Sequence, residues 1–112
     1  MNESKEKALR YNLNKPQYSL LDLKSLEPAV RVLEYGAIKY SRDNWKKGLV
    51  MSQVFDSMLR HISAMIDGEY YDKESELPHI GHIQCNAMFL NGPNIINDLI
   101  FKDFKEDADI PF

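Results

Sequence analysis

The sequence predicts an all-α fold: a small oligomeric bundle of three main helices plus a short C-terminal helix, in one domain covering residues 1–112. Three observations lead there. Apolar residues recur at three- and four-residue spacing over three separate stretches, as they do on helices with one buried face. No stretch alternates apolar and polar residues with period two, and no turn dipeptide joins two β-branched runs. Glycine, proline and asparagine stand between the periodic stretches, where helices end.

Residues 1–14 are polar and aperiodic and read as an N-terminal arm. It ends at Lys15-Pro16, because proline pushes the residue before it out of the helical region. The first helix is expected from about Ser25 to Tyr40, with Leu26, Ala29, Val30, Leu33, Ala37 and Tyr40 forming its stripe. Ser25 is a natural N-cap, and Pro28 is tolerated in the first turn, whose amides have no intrahelical partner. Gly36 inside this helix costs about 1 kcal/mol relative to alanine, so a close approach is expected there. The second helix is expected from about Ser52 to Asp67, with Phe55, Met58, Leu59, Ile62, Met65 and Ile66 inward and Gly68 as its stop. The third follows Ser75-Glu76-Leu77-Pro78 and runs through Ile80, Ile83, Ala87 and Leu90 to the breaker Asn91-Gly92-Pro93. The C-terminal segment 93–112 carries a weaker pattern (Ile95, Ile96, Leu99, Ile100, Phe104), read as a short last helix. Helices of roughly four turns give a thin core, and Phe101, Phe104 and Phe112 need a surface to pack on. A homo-oligomer, a dimer or larger, is therefore expected.

Of the residues, 44% are hydrophobic and 28% charged, with a formal net charge of −3. Duplex nucleic acid is an unexpected partner, because binding it takes a basic footprint. A single nucleotide needs only a few local cations. The start of the chain has acidic residues and no apolar core of a secretory signal, and no run approaches the roughly 20 apolar residues that span a bilayer. The lone cysteine, Cys85, cannot form an internal disulfide. No membrane association and a cytoplasmic location follow as expectations.

Candidate chemistry clusters in the stretch 39–86. His79 and His82 stand three apart at the start of the third helix and project from one face, and Asn86 continues that strip. His61 follows Arg60 on the second helix. The connection between these helices offers Glu69, Asp72 and Glu74. Antiparallel packing of the two helices would bring imidazoles and carboxylates to one ion or one phosphate group. Imidazole suits zinc, manganese or iron, and carboxylates alone favour magnesium. Equally, His61 shares its stripe with Val54, Met58 and Met65 and would serve as a packing residue. A second cluster follows the first helix. There Tyr40 and Trp45 offer faces to a base, Lys39 reaches for a phosphate, and Asn44 offers hydrogen bonds to a base edge. Trp45 would also plug the end of the bundle. Cys85, in mid-helix among apolar neighbours, is not expected to act as a nucleophile.

The order and spacing of Asn14-Lys15-Pro16, Leu33-Glu34-Tyr35-Gly36-Ala37-Ile38-Lys39-Tyr40, Asp43-Asn44-Trp45, Arg60-His61, Gly68-Glu69, Asp72-Lys73-Glu74-Ser75 and Leu77-Pro78-His79-Ile80-Gly81-His82 resembles the N-terminal domain of phage dATP/dGTP diphosphohydrolases. The resemblance covers roughly residues 10–90. It implies hydrolysis of a purine deoxynucleoside triphosphate to monophosphate and pyrophosphate with a divalent metal, in a phage that reshapes its host's nucleotide pool. It also implies a more distant kinship to the all-α, MazG-type pyrophosphohydrolases. Those bind magnesium through an E-E-x-x-E helix followed by E-x-x-D, and this chain has neither motif. Arg60-His61 stands in the place of the first, and His79-x-x-His82 in the place of the second. The glycine expected after Ser75 is Glu76.

On that basis Glu69 and His79 are the expected catalytic residues. Lys39, Tyr40, Asn44, Trp45, Arg60 and Asn86 are expected to bind substrate, and His61, His79, His82, Asp72 and Glu74 to hold a divalent metal. Magnesium or manganese is expected, with zinc or iron as imidazole-favoured alternatives. The missing carboxylate motifs leave a second expectation, a protein that sequesters a nucleotide or nucleotide signal without hydrolysing it.

Overall fold

The structure, a computed structural model, describes residues 6–99. Residues 6–17 lie extended and exposed, with one turn at Asn12–Lys15 that places Asn14 at φ +63°. Two short 3-10 turns follow, Tyr18–Leu20 and Leu23–Leu26. Asp22 builds the second by accepting from the Lys24 amide at 3.3 Å and the Ser25 hydroxyl at 2.7 Å.

Helix α1 spans Glu27–Lys39, α2 Met51–Ile66 and α3 His79–Leu90. The first helix thus starts two residues later than the periodicity implied. Ser25 is taken up in the preceding turn and does not cap it; the N-cap position falls to Leu26, which has no capping side chain. Pro28 sits in the first turn, as its missing amide permits. Glu27 in the first turn and Lys39 in the last suit the helix dipole.

The fold is mostly helical, but not purely so. Leu49–Val50 (β1) pairs in parallel with Ile95–Ile96 (β2), in the register Leu49 to Ile95 and Val50 to Ile96. The expected short C-terminal helix is therefore corrected at its start, where Ile95 and Ile96 are strand. Ile100, Phe101, Phe104 and Phe112 lie outside the described residues. The reason is visible at the clip: Gly48, at φ +129°, lets the chain pass beneath Asn94 and Ile96, and the Asn94 amide donates to the Lys46 carbonyl. Just beyond β2, Asp98 reaches the start of α2, accepting from the Ser52 amide at 2.9 Å and from the Ser52 hydroxyl. No side chain at the N-cap, Val50, does this. A cap of this kind contributes about 0.5–2 kcal/mol.

Helix α3 is the central element, packed against both α1 and α2, which hardly touch one another. Gly81 permits its crossing with α1. A Cβ there would stand 2.5 Å from the Pro28 carbonyl oxygen and 2.8 Å from its carbon. One turn on, the Cys85 thiol donates to the Ala29 carbonyl at 3.2 Å, and the Gln84 side chain donates to the Ser25 carbonyl at 2.8 Å. Gly36, by contrast, has nothing within 4 Å of where a Cβ would be, so the expected close approach is absent.

The α2–α3 connection is folded on itself. Gly68, at φ +93°, closes α2 through its bond to the Met65 carbonyl, while the Glu69 amide bonds back to Ala64. Tyr71 then bridges Pro78 in antiparallel sense, with Asp72 amide to Leu77 carbonyl at 2.8 Å and His79 amide to Tyr70 carbonyl at 2.9 Å. Glu76 occupies the tip at φ +61°, a left-handed conformation that explains why glycine was expected there.

Candidate functional site

The folded connection and the start of α3 bring three imidazoles and two carboxylates together. His79, 3% exposed, places Nδ1 2.8 Å from His61 Nδ1 of α2 and Nε2 3.1 Å from Glu69 Oε2. His61 also lies flat on His82, with ring centroids 4.3 Å apart and planes 3° from parallel. His82 Nε2 is 2.8 Å from the Ser75 hydroxyl, which itself donates to Asp72 Oδ2 at 2.8 Å. With the only hydroxyl hydrogen given to Asp72, the Ser75–His82 bond needs its hydrogen on His82 Nε2. Asp72 Oδ2 accepts from the Ser75 amide as well, at 2.8 Å.

The electrostatics follow from this packing. Burial pushes the His61 imidazole below its ordinary 6.5, helped by the neighbouring His82 and opposed by Asp72. Burial lowers His82 too, against the pull of Asp72. For Asp72, burial acts to raise the carboxyl, but the two Ser75 hydrogen bonds and the histidine charges outweigh it and hold it below 3.8. The lowered His61 and His82 favour neutral imidazole and the lowered Asp72 favours carboxylate, the forms that metal ligation requires. Ligand atoms of His61, Asp72 and His79 all lie within 4.8 Å of one another.

Every residue expected at the site lines one groove of about 1120 Å³ between α1, the Asn44–Lys47 turn, α2 and α3. That is slightly larger than the roughly 300–1,000 Å³ of most small-ligand clefts. Within it the residues divide. His61, His79, Asp72, Glu69 and His82 form the cluster. Glu74 stands apart from it, exposed and 2.6 Å from Lys39 Nζ. This hydrogen bond, with a smaller effect of Tyr40, raises the Lys39 ammonium pKa. The Lys39 charge also lies 5.9 Å from the Tyr35 ring centre and 5.3 Å from that of Tyr40. Arg60 is exposed at the groove, with no ion-pair partner among the described residues. Trp45 stacks on Phe89 of α3 at 5.0 Å, so one of its faces is already covered. Asn44 is half-buried on the same turn. Asn86 is buried and donates to the Ser57 hydroxyl at 3.2 Å, which fixes it in the floor of the groove.

Sequence reasoning missed Ser75, the hinge of the Asp72–His82 contact, and Arg42, a second exposed arginine lining the groove. Ser75 carried a signal: an aspartate three residues before a serine commonly bonds that residue's amide and hydroxyl. Arg42 carried none, since one arginine in a loop is ordinary surface.

The sequence pattern of a family described as dATP/dGTP diphosphohydrolase, N-terminal, matches residues 5–99. A protein named dATP/dGTP diphosphohydrolase from Salmonella phage PMBT28 is 32% identical over 82 residues, which is 73% of this chain. The chain spans only 28% of that relative's length. No solved structure matches.

Proposed function

Because the chain belongs to the dATP/dGTP diphosphohydrolase N-terminal family, we propose that its groove binds a purine deoxynucleoside triphosphate with a divalent metal and hydrolyses it. The products are the monophosphate and pyrophosphate. The observation that carries this is the convergence of His61, Asp72 and His79 in a groove that also exposes two arginines, Arg42 and Arg60. A bound divalent ion would offset charge on the phosphates and make water a better nucleophile. Water oxygen bonds to the α-phosphorus, the bond to the α–β bridging oxygen breaks, and pyrophosphate leaves with that oxygen. Glu69 is the acceptor for the water proton: Oε2 holds His79, and its side chain, 32% exposed, remains open to the groove. Arg60 and Lys39 grip phosphates, Lys39 by exchanging Glu74 for the ligand. Tyr40, the uncovered face of Trp45, Asn44 and Asn86 contact base and sugar. In a phage setting the substrate pool is that of the host cytoplasm.

Glu69→Gln is expected to lower kcat by about 10²–10⁴-fold, the usual worth of a general base, and His61→Phe to abolish metal-dependent turnover. Full turnover in either variant rejects these roles. One feature favours sequestration without turnover: Arg60-His61 and His79-x-x-His82 stand where the MazG-type pyrophosphohydrolases that the sequence distantly resembles carry carboxylates. Recovery of intact triphosphate from a saturated complex would establish that alternative.

The working unit is a homo-oligomer. Among the described residues only Val32, Val54 and Cys85 bury apolar side chains, while Val30, Ile38, Leu59 and Ile66 on the helices and Leu9, Leu13, Leu20 and Leu23 before them are exposed. A monomeric mass in solution at micromolar concentration would reject this.

A further inference from the structure

We infer that the His61–Asp72–His79 cluster selects a borderline transition ion such as zinc, iron, cobalt or manganese over magnesium. This rests on the proposed metal-dependent function and deepens it. The first support is tautomer control. Glu69 Oε2 lies 3.1 Å from His79 Nε2, so a ligating ring keeps its hydrogen on Nε2 and presents Nδ1 to the ion. A carboxylate behind a ligating imidazole is the usual way to fix and strengthen such a ligand.

The second support is spacing. His61 Nδ1 stands 2.8 Å from His79 Nδ1, a hydrogen bond whose hydrogen then lies on His61 and moves to that ring's other nitrogen when an ion takes its place. Two imidazole nitrogens, each about 2.0–2.1 Å from one ion, stand roughly 3 Å apart when they meet it near a right angle. The rings therefore already sit close to ligating separation. The third support is Asp72. Ser75 fastens Oδ2 twice, by amide and hydroxyl, which orients the carboxylate with Oδ1 on its other side. Two nitrogens and one oxygen leave open positions for phosphate oxygens. Magnesium takes oxygen ligands and keeps its water, whereas imidazole suits the later first-row ions. Glu74, the further carboxylate of the connection, is 2.6 Å from Lys39 and outside the ligand group.

The test uses the full chain, prepared without a histidine tag and stripped by chelator, and titrated with cobalt(II) as a visible probe. The expected result is one cobalt per chain, with d–d bands of a nitrogen–oxygen site, retained against millimolar magnesium. Glu69→Gln should weaken cobalt affinity about 10–100-fold, as loss of an outer-shell partner does. His61→Phe keeps the ring stacked on His82 but removes the nitrogen, so it should abolish uptake while circular dichroism stays native. Cobalt displaced by millimolar magnesium, or unchanged uptake by a folded His61→Phe variant, overturns the inference. A parallel titration with dATP and dGTP in magnesium separates the two levels. Nucleotide turnover with magnesium and no cobalt uptake defeats the metal preference alone, and neither uptake nor turnover defeats both.

Discussion

Replacing Gly81 by alanine tests whether the crossing of α3 over α1 holds the site in shape. The added Cβ would stand 2.5 Å from the Pro28 carbonyl oxygen, 2.8 Å from its carbon and 3.0 Å from Val32 Cγ2. Two of these are backbone atoms in the first turn of α1 and have no rotamer to yield. Restoring an ordinary 3.4 Å contact to the oxygen requires α3 to retreat by about 0.9 Å. Overpacking of this kind costs about 1–3 kcal/mol, and contact with backbone places it near the upper end. The helix-propensity gain of alanine over glycine, about 1 kcal/mol, offsets part of that. A net loss of about 2 kcal/mol is expected, on the order of a 30-fold shift toward the unfolded state. Gly36→Ala is the control, since its Cβ meets nothing within 4 Å. It should stabilise by about 0.5–1 kcal/mol through the backbone term alone. Urea unfolding followed by circular dichroism at fixed protein concentration reads both. Because His79 and His82 flank Gly81, the same retreat would loosen ligand geometry, and displacements near 1 Å cost about 10²-fold in catalysis. A Gly81→Ala variant as stable as the parent chain, or a Gly36→Ala variant equally destabilised, would refute this account of the crossing.

Glu76 sits at φ +61°, a conformation costing a non-glycine residue roughly 1–2 kcal/mol. Glu76→Gly should stabilise the chain by up to about 1 kcal/mol after the entropy of glycine is counted, and a loss of stability in urea would contradict this. In the metal-free chain, folding holds His61 and His82 below 6.5, so the unfolded chain binds more protons and stability falls as pH drops below about 6.5. Asp72, held below 3.8, adds a further loss as pH falls below about 4; unfolding midpoints that stay flat between pH 8 and 4 would count against the cluster. Cys85 is 2% exposed, its thiol bonded to the Ala29 carbonyl and raised by burial to about 11. A thiol reagent at neutral pH should therefore leave it unmodified until the chain is unfolded, and rapid labelling of native protein would be the contrary result.

The three helices were legible because each carries a stripe of apolar residues closed by a breaker, and Gly68 stops α2 as expected. The parallel clip between Leu49–Val50 and Ile95–Ile96 was not, because two-residue strands carry no periodicity and their pairing joins positions 46 apart in sequence. Asp98 as the cap of α2 escaped for the same reason: sequence rules look for caps beside the helix. Ser25 misled, having the right chemistry for a cap but spending its hydroxyl on Asp22 in the turn before. Within the site, the spacing of His79 and His82 placed them near one another. What spacing alone left open was how the two rings divide their work: His79 faces His61 and Glu69, while His82 stacks on His61 and bonds Ser75. Two side chains three apart on a helix share a face but diverge in direction, and only the folded connection decides what each one meets. The pairing of Lys39 with Glu74 likewise depends on tertiary closure and leaves no mark in local sequence.

The most direct test of the central claim is to incubate the purified chain with each common deoxynucleoside triphosphate and magnesium, manganese or cobalt, then separate the products by anion-exchange chromatography. Equal amounts of monophosphate and pyrophosphate are expected from dATP or dGTP, formed about 10²–10⁴-fold more slowly by the Glu69→Gln variant. Intact triphosphate with every metal, or diphosphate and phosphate as the products, would contradict that claim.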